Sequence, residues 1–274
     1  MSAPLVIDSF AGGGGASEGI VKLRVLDLFS GIGGFGLGLE RTGGFETVAF
    51  CEIDPFCRRV LAKHWPKVPC HHDVETRDFV AGEADVIVGG FPCQDISFAG
   101  RGAGITGSRS GLYRHLVRAI RMVRPRFAVM ENVAALLDRG LGTVLGDLAE
   151  DGYDAEWDCV GPDQIGASQH RERVWVLADA NHEGRQGPIW AGQSHQARPE
   201  WQAACREPLR STRGYWPPGP REVADIPRMA DGPADRAHRL AALGNAVVPQ
   251  IPEMIGNAIL AIREAAPMPL FAAA

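Results

Sequence analysis

The chain has 274 residues, 45% of them hydrophobic, and a net charge of −5. No run approaches the roughly 18 uninterrupted apolar residues of a membrane span, and no basic stretch leads into an apolar one at the start as in a secretory signal. Its cysteines (Cys51, Cys57, Cys70, Cys93, Cys159 and Cys205) are too scattered for a disulfide scaffold and read as free thiols in a reducing cytoplasm.

The opening run Asp8-Ser9-Phe10-Ala11-Gly12-Gly13-Gly14-Gly15 is echoed by Asp27-Leu28-Phe29-Ser30-Gly31-Ile32-Gly33-Gly34. Were the first copy the working one, Asp27 would have to replace Glu52 and everything after it would fall out of register, so the second copy opens the domain. From there strands and helices alternate. Val25–Leu28 reads as a strand, Gly34–Arg41 as a helix and Thr47–Cys51 as a second strand. Asp54-Pro55 has the form of an N-cap followed by proline at the first helical position, opening a helix through Ala62. Val86–Val88 and Phe127–Met130 are short apolar runs suited to buried parallel strands, with the helical periodicity of Gly111–Val123 between them. Tyr153–Val160 and Arg173–Leu177 read as strands and Pro249–Arg263 as a closing helix. Alternation of this kind implies an α/β, doubly wound, mostly parallel sheet with ligands at the carboxyl ends of its strands. Between about Asn181 and Pro227 no period survives, and Trp190, Trp201, Tyr215 and Trp216 are interleaved with Arg198, Arg206, Arg210 and Arg213.

The chemistry-bearing residues fall at the expected strand ends. Ser30-Gly31-Ile32-Gly33-Gly34 allows a tight turn and close backbone approach to a ligand. Glu52 stands where a carboxylate takes two ribose hydroxyls, and Asp73, after a third short strand, can accept from an adenine amino group. The three describe a pocket for an adenosine moiety without saying which cofactor carries it. Cys93 follows proline in Gly89-Gly90-Phe91-Pro92-Cys93-Gln94, at a strand terminus facing the cleft; a thiolate there is a nucleophile. Glu131-Asn132-Val133 closes the neighbouring strand and brings a carboxylic acid beside the thiol, a pairing suited to covalent attack on a heteroaromatic ring. Arg171 and Arg173, two apart on an extended segment, point the same way towards a phosphate or base carbonyl. Between Ile96 and Met130 there is no acidic residue but Arg101, Arg109, Arg114, Arg118, Arg121, Arg124 and Arg126, which together offer a local cationic face to phosphates in an acidic chain. Cys70-His71-His72 are adjacent and cannot converge on one metal as spaced ligands do, so no metal site is expected.

The ordered set Asp-Leu-Phe-Ser-Gly-x-Gly-Gly, Glu52, Asp73, Gly-Gly-Phe-Pro-Cys-Gln, Glu-Asn-Val, Gln-x-Arg-x-Arg and Leu243-Gly244-Asn245-Ala246-Val247 resembles the DNA cytosine-5 methyltransferase family, in its short bacterial and phage form. The likeness covers roughly residues 23–180 and 228–264. It implies a Rossmann-like fold using S-adenosyl-L-methionine, a reduced target-recognition region over 181–227, a C-terminal segment over 228–264 completing the catalytic domain of 23–180, and a tail over 265–274. Residues 1–22 are then an extra, dispensable segment. It further implies that the target cytosine is flipped out of double-stranded DNA, that Cys93 adds to C6, that Glu131 serves N3, that Arg173 contacts the cytosine carbonyl and that Arg171 supports catalysis. Phe29, Gly31, Gly33, Glu52, Ile53, Asp73, Pro92, Leu112, Asn245 and Val247 are implied cofactor-binding positions; Gln94, Ser97, Arg101 and Arg109 are implied DNA contacts, and a mobile catalytic loop is implied over about Ile96–Leu112, where Arg101 and Arg109 would meet phosphates. A monomer is expected, and a cognate restriction endonuclease in the host is left open. An RNA (tRNA) cytosine-5 methyltransferase and a non-catalytic DNA-binding relative stay as alternatives. A nicotinamide dehydrogenase would leave Pro92-Cys93-Gln94 unexplained.

Overall fold

The computed structural model describes residues 21–92, 110–165, 171–180 and 242–265. Their backbone is organised by one seven-stranded sheet in the order β3-β2-β1-β4-β5-β7-β6. The strands are β1 (Leu23–Leu28), β2 (Phe45–Cys51), β3 (Cys70–His71), β4 (Val86–Gly90), β5 (Phe127–Val133), β6 (Asp154–Val160) and β7 (Arg173–Asp179); the helices are α1 (Gly34–Arg41), α2 (Pro55–His64), α3 (Tyr113–Val123), α4 (Leu136–Arg139), α5 (Leu141–Glu150) and α6 (Gln250–Ala265). No helix among the described residues is long and apolar enough to cross a membrane.

Strands β1 to β5 pair in parallel, each reached through a crossover. Because successive side chains alternate faces, β1 sends Leu26 and Leu28 into one core, shared with Ile87, Leu116, Ile120 and Val144 of β4, α3 and α5. Val25 goes into the other, shared with Leu39 of α1 and with Ile251, Ile255 and Ile259 of α6. Helices thus cover both faces, and the fold is Rossmann-like, as the alternation predicts. The far end departs from a parallel run. β7 lies antiparallel between β5 and β6, which is open to it because an antiparallel neighbour needs no crossover helix. β6 is the outer edge, and the charged Asp154, Glu156 and Asp158 on it suit an edge strand. Three expected strands run on slightly further: β7 ends at Asp179 rather than Leu177, β5 at Val133 rather than Met130, and β4 at Gly90 rather than Val88. That extension sets Gly90 opposite Glu131. Helices α4 and α5 were given no element by the sequence reading, although Leu141, Val144 and Leu148 bury one helical face.

The cationic face expected over Ile96–Met130 is corrected for four of its arginines, which are fasteners within the fold. Arg121 places Nε 2.8 Å from both carboxylate oxygens of Asp151. Arg124 donates to the Asp151 carbonyl at 3.0 Å. Arg126, almost fully buried, faces the buried Asp179 at 3.5 Å. Arg118 donates to three backbone carbonyls. Carbonyls and carboxylates without backbone donors are tied down by whichever guanidinium reaches them: Arg118 and Arg126 do so partly within the fold, Arg121 and Arg124 at its surface. Arg101 and Arg109 lie outside the described residues.

Helix α6 closes the sheet against α1 through glycines one helical turn apart. A Cβ on Gly34 would meet the Val247 carbonyl, and one on Gly38 would lie 2.8 Å from the Pro252 Cβ and 3.0 Å from the Glu253 nitrogen, with the Pro249 carbonyl closer still. Gly38→Ala gains up to about 1 kcal/mol in helix propensity but meets rigid backbone, an overpacking cost of about 1–3 kcal/mol. A net loss of about 1–2 kcal/mol is expected, read as a lower urea midpoint at unchanged slope. A stabilised variant would show that α6 does not seat on α1 this way.

Candidate active site

The site begins with a strained turn. Phe29 adopts φ 55°, a left-handed conformation rare for a non-glycine residue, followed by Gly31 at 54° and Gly33 at 87°. Ser30 holds the turn in place. Its hydroxyl donates to the Asp27 carbonyl at 2.6 Å and accepts from the Cys51 amide at 3.2 Å, while its own amide donates to the Cys51 carbonyl. The end of β1 is thereby locked to the end of β2. There the Glu52 carboxylate accepts from the Gly31 amide through Oε2 and from the Asp54 amide through Oε1, each at 2.7 Å. Asp54 caps α2 as the sequence predicts, accepting from the Cys57 amide at 2.9 Å with Pro55 following.

These turns form one side of a cavity of about 620 Å³ at the carboxyl ends of the parallel strands. Phe29, Gly31, Glu52, Ile53, Asp73, Pro92, Leu112 and Asn245, eight of the expected cofactor positions, line it. Ile53 is 61% exposed, a large apolar face left open. Asp73 accepts from the Glu75 amide at 2.8 Å. Two expected positions are not in the wall. Gly33 turns towards α2, where a Cβ would lie 2.7 Å from the Trp65 ring, and Val247 packs against Gly34. Both pack behind the glycine turn.

Glu131, Arg171 and Arg173 also line the cavity. Glu131 ends the buried run of β5 with its side chain 12% exposed, and Arg173 Nε lies 3.0 Å from its Oε1. Arg173 stands opposite Val133 on β7 and reaches Glu131 along the diagonal. Gly90 makes room, since a Cβ there would come within 2.9 Å of Glu131 Oε2. Burial pushes the Glu131 carboxyl up from its ordinary range, and Arg173 and then Arg171 pull it back. Arg171 donates through Nη1 to the Ala246 carbonyl at 2.5 Å, joining β7 to the segment that carries Asn245.

Asn132 was quoted with its neighbours in the sequence but given no role. It is buried, donates through Nδ2 to the Phe91 carbonyl at 3.1 Å and accepts from the Val133 amide at 2.9 Å. The end of β5 therefore fixes the backbone one residue before Pro92. An amide following an acid at a strand end was the available signal. Cys93, Gln94 and Ser97 lie outside the described residues, as does the stretch 181–241.

The cavity has two electrostatic poles. Glu52, Asp54, Asp73 and Glu75 line one part, and Arg171 and Arg173 stand with Glu131 at another. The acidic pole would repel a pyrophosphate and suits a ligand that is cationic near a ribose.

Residues 23–212, well over half of the chain, match the family model of the C-5 cytosine-specific DNA methylases. The chain is 39% identical over 165 residues to the type II methyltransferase M2.BsuMI of Bacillus subtilis strain 168, a match covering 57% of this chain and 42% of that protein. Among solved structures it resembles one described as a DNA modification methyltransferase encoded within an E. coli prophage (25% identity, TM-score 0.51, 64% of this chain and 52% of the other). It shares its fold with the S. pombe Dnmt2 methyltransferase (22% identity, TM-score 0.50, 60% and 52%). The chain spans well under two thirds of the length of the relatives it matches. Its sheet order, its cavity and this match over most of its length agree: the chain belongs to the C-5 cytosine-specific DNA methylase family.

Proposed function

We propose that the chain transfers a methyl group to carbon 5 of a cytosine flipped out of double-stranded DNA, using Cys93 as nucleophile. The observation that carries the reading is the Glu131–Arg173 pair on the wall of a cavity whose other pole is acidic, with Pro92, the residue before Cys93, in the same wall.

The donor set fits S-adenosyl-L-methionine. Glu52 has lone pairs beyond the two used by backbone amides for ribose hydroxyls, Asp73 is an acceptor for the adenine amino group, and Phe29, Ile53 and Leu112 offer apolar faces to the base. When bound, that donor supplies an electrophilic methyl on a sulfonium, whose positive charge matches the four carboxylates.

The remaining work belongs to the protein. Cys93 as thiolate forms a bond to C6 of the cytosine. Glu131, kept protonatable by burial, holds a proton at N3 so that electron density gathers at C5 and not on the ring nitrogen. Arg173 donates to the base carbonyl and keeps the Glu131 carboxyl in place, and Arg171 holds the strand entrance against the Asn245 segment. After C5 is methylated its proton passes to water, the C5–H electron pair re-forms the C5–C6 double bond, the C6–S bond breaks with Cys93 leaving as thiolate, and N3 returns its proton to the Glu131 carboxylate.

Expression in a host without this modification, followed by genome-wide mapping of 5-methylcytosine, tests the reading and returns the target sequence. Methylation at a defined site is expected, together with incorporation of labelled methyl into duplex DNA but not into tRNA. Label in tRNA alone, or in neither, would overturn it.

A further inference from the structure

We infer that Arg118 is a positioning residue for the adenine end of the pocket, holding the loop that carries Asp73 to helix α3. The inference rests on the proposed cofactor reading and deepens it.

Between β3 and β4 the chain runs from His72 to Asp85 without helix or strand. The carbonyls of Val74, Glu75 and Arg77 in this loop have no ladder to join. One nitrogen of Arg118, Nη2, donates towards all three, at 2.6, 3.0 and 3.2 Å. Its guanidinium also lies 5.2 Å from the centre of the buried Phe79 ring, which Arg77 approaches at 4.7 Å while paired with Glu83 through two bonds of 2.9 Å. A guanidinium can lie over the ring through its carbon while one nitrogen bridges the carbonyls; a lysine ammonium is a single point charge and can serve the ring and the carbonyls together only in part.

The anchoring helix is not a remote one. Leu112, immediately before α3, lines the cavity, and Tyr113 packs on Phe91 with ring centres 5.2 Å apart. Helix α3 therefore touches the pocket near Pro92 and, through Arg118, holds the loop opposite. Arg118 contacts no ligand on this reading; it sets where Asp73 stands.

Calorimetric titration of the full chain with S-adenosylhomocysteine and with S-inosylhomocysteine, which lacks the adenine amino group, tests this. Wild type is expected to prefer the adenosyl ligand. Arg118→Met should bind that ligand about 10- to 100-fold more weakly, bind the inosyl ligand with little change, and keep kcat at saturating donor within a few-fold. Arg118→Lys should fall between and, should the methionine variant fail to fold, carries the test alone. Equal weakening of both ligands, or wild-type affinity in a folded variant, would overturn the inference. Failure of wild type to bind S-adenosylhomocysteine would instead sink the cofactor reading itself.

Discussion

Glu131→Gln is expected to fold normally, bind duplex DNA and the methyl donor within a few-fold of wild type, and lose about 10²- to 10⁴-fold in methyl transfer; Cys93→Ser should show no transfer at all. The two losses have different origins. A serine hydroxyl in place of a thiol cannot supply a comparable nucleophile near neutral pH without a base of its own. A glutamine at 131 keeps the size of the side chain, an acceptor for Arg173 and a donor for N3. What it lacks is a proton that can be handed over. Burial raises the Glu131 carboxyl and the two arginines restrain it, so the acid form persists above the ordinary carboxylate range and is lost as pH rises further. Wild-type kcat should therefore fall on the alkaline side, and the glutamine variant should lack that limb. Single-turnover rates across pH separate the cases. Unchanged kcat with weakened DNA affinity would mean that Glu131 only binds.

Parts of this site were legible because they rest on short-range rules. The turn after β1 needs left-handed residues, and glycines announced it. Asp54 with Pro55 announced the start of α2. Glu131 was placed at a strand end by the apolar run before it, and parallel neighbours with ligands at their carboxyl ends did the rest. Other features depend on contacts far apart in sequence. Nothing local distinguishes Arg118, whose carbonyl partners lie more than 40 residues earlier, from an arginine facing solvent or phosphate. A charge run records which residues are present, not which carbonyls lie within reach of them. The same holds for β7: its apolar residues announce a strand, but nothing local places it antiparallel between β5 and β6. Gly33 and Val247 were named from their place in a motif; their packing on Trp65 and Gly34 is a long-range constraint that no local pattern announces.

Stability should fall as pH rises from about 4 to about 8, because of one group beneath the glycine turn. Asp27 is fully buried on β1; its Oδ2 receives the Gly36 amide at a long 3.4 Å, and its Oδ1 has no hydrogen-bond partner among the described residues. Burial, resisted by the Gly36 amide and reinforced by the nearby Glu52, pushes its pKa up to about 8. The unfolded chain releases this proton near pH 4. Between those values the native state binds the extra proton, so each step up in pH favours unfolding. At about 1.4 kcal/mol per unit, the full interval is worth on the order of 5 kcal/mol, an upper bound that water entry or local relaxation would reduce. Asp27→Asn removes the titration while keeping an acceptor for Gly36. The variant should match wild type at or below about pH 4 and exceed its stability by several kcal/mol above pH 8, measured as the difference between their urea unfolding free energies at each pH. Every other titrating group is common to both proteins and cancels in that difference, so parallel curves would show that Asp27 is not the source. The carboxyl lies in the strand that Ser30 locks to the end of β2. A wild-type chain forced to charge Asp27 should therefore slacken at Gly31 and Glu52 before the rest of the sheet opens, and donor affinity should hold until the pH nears 8, well above the point at which global stability begins to fall.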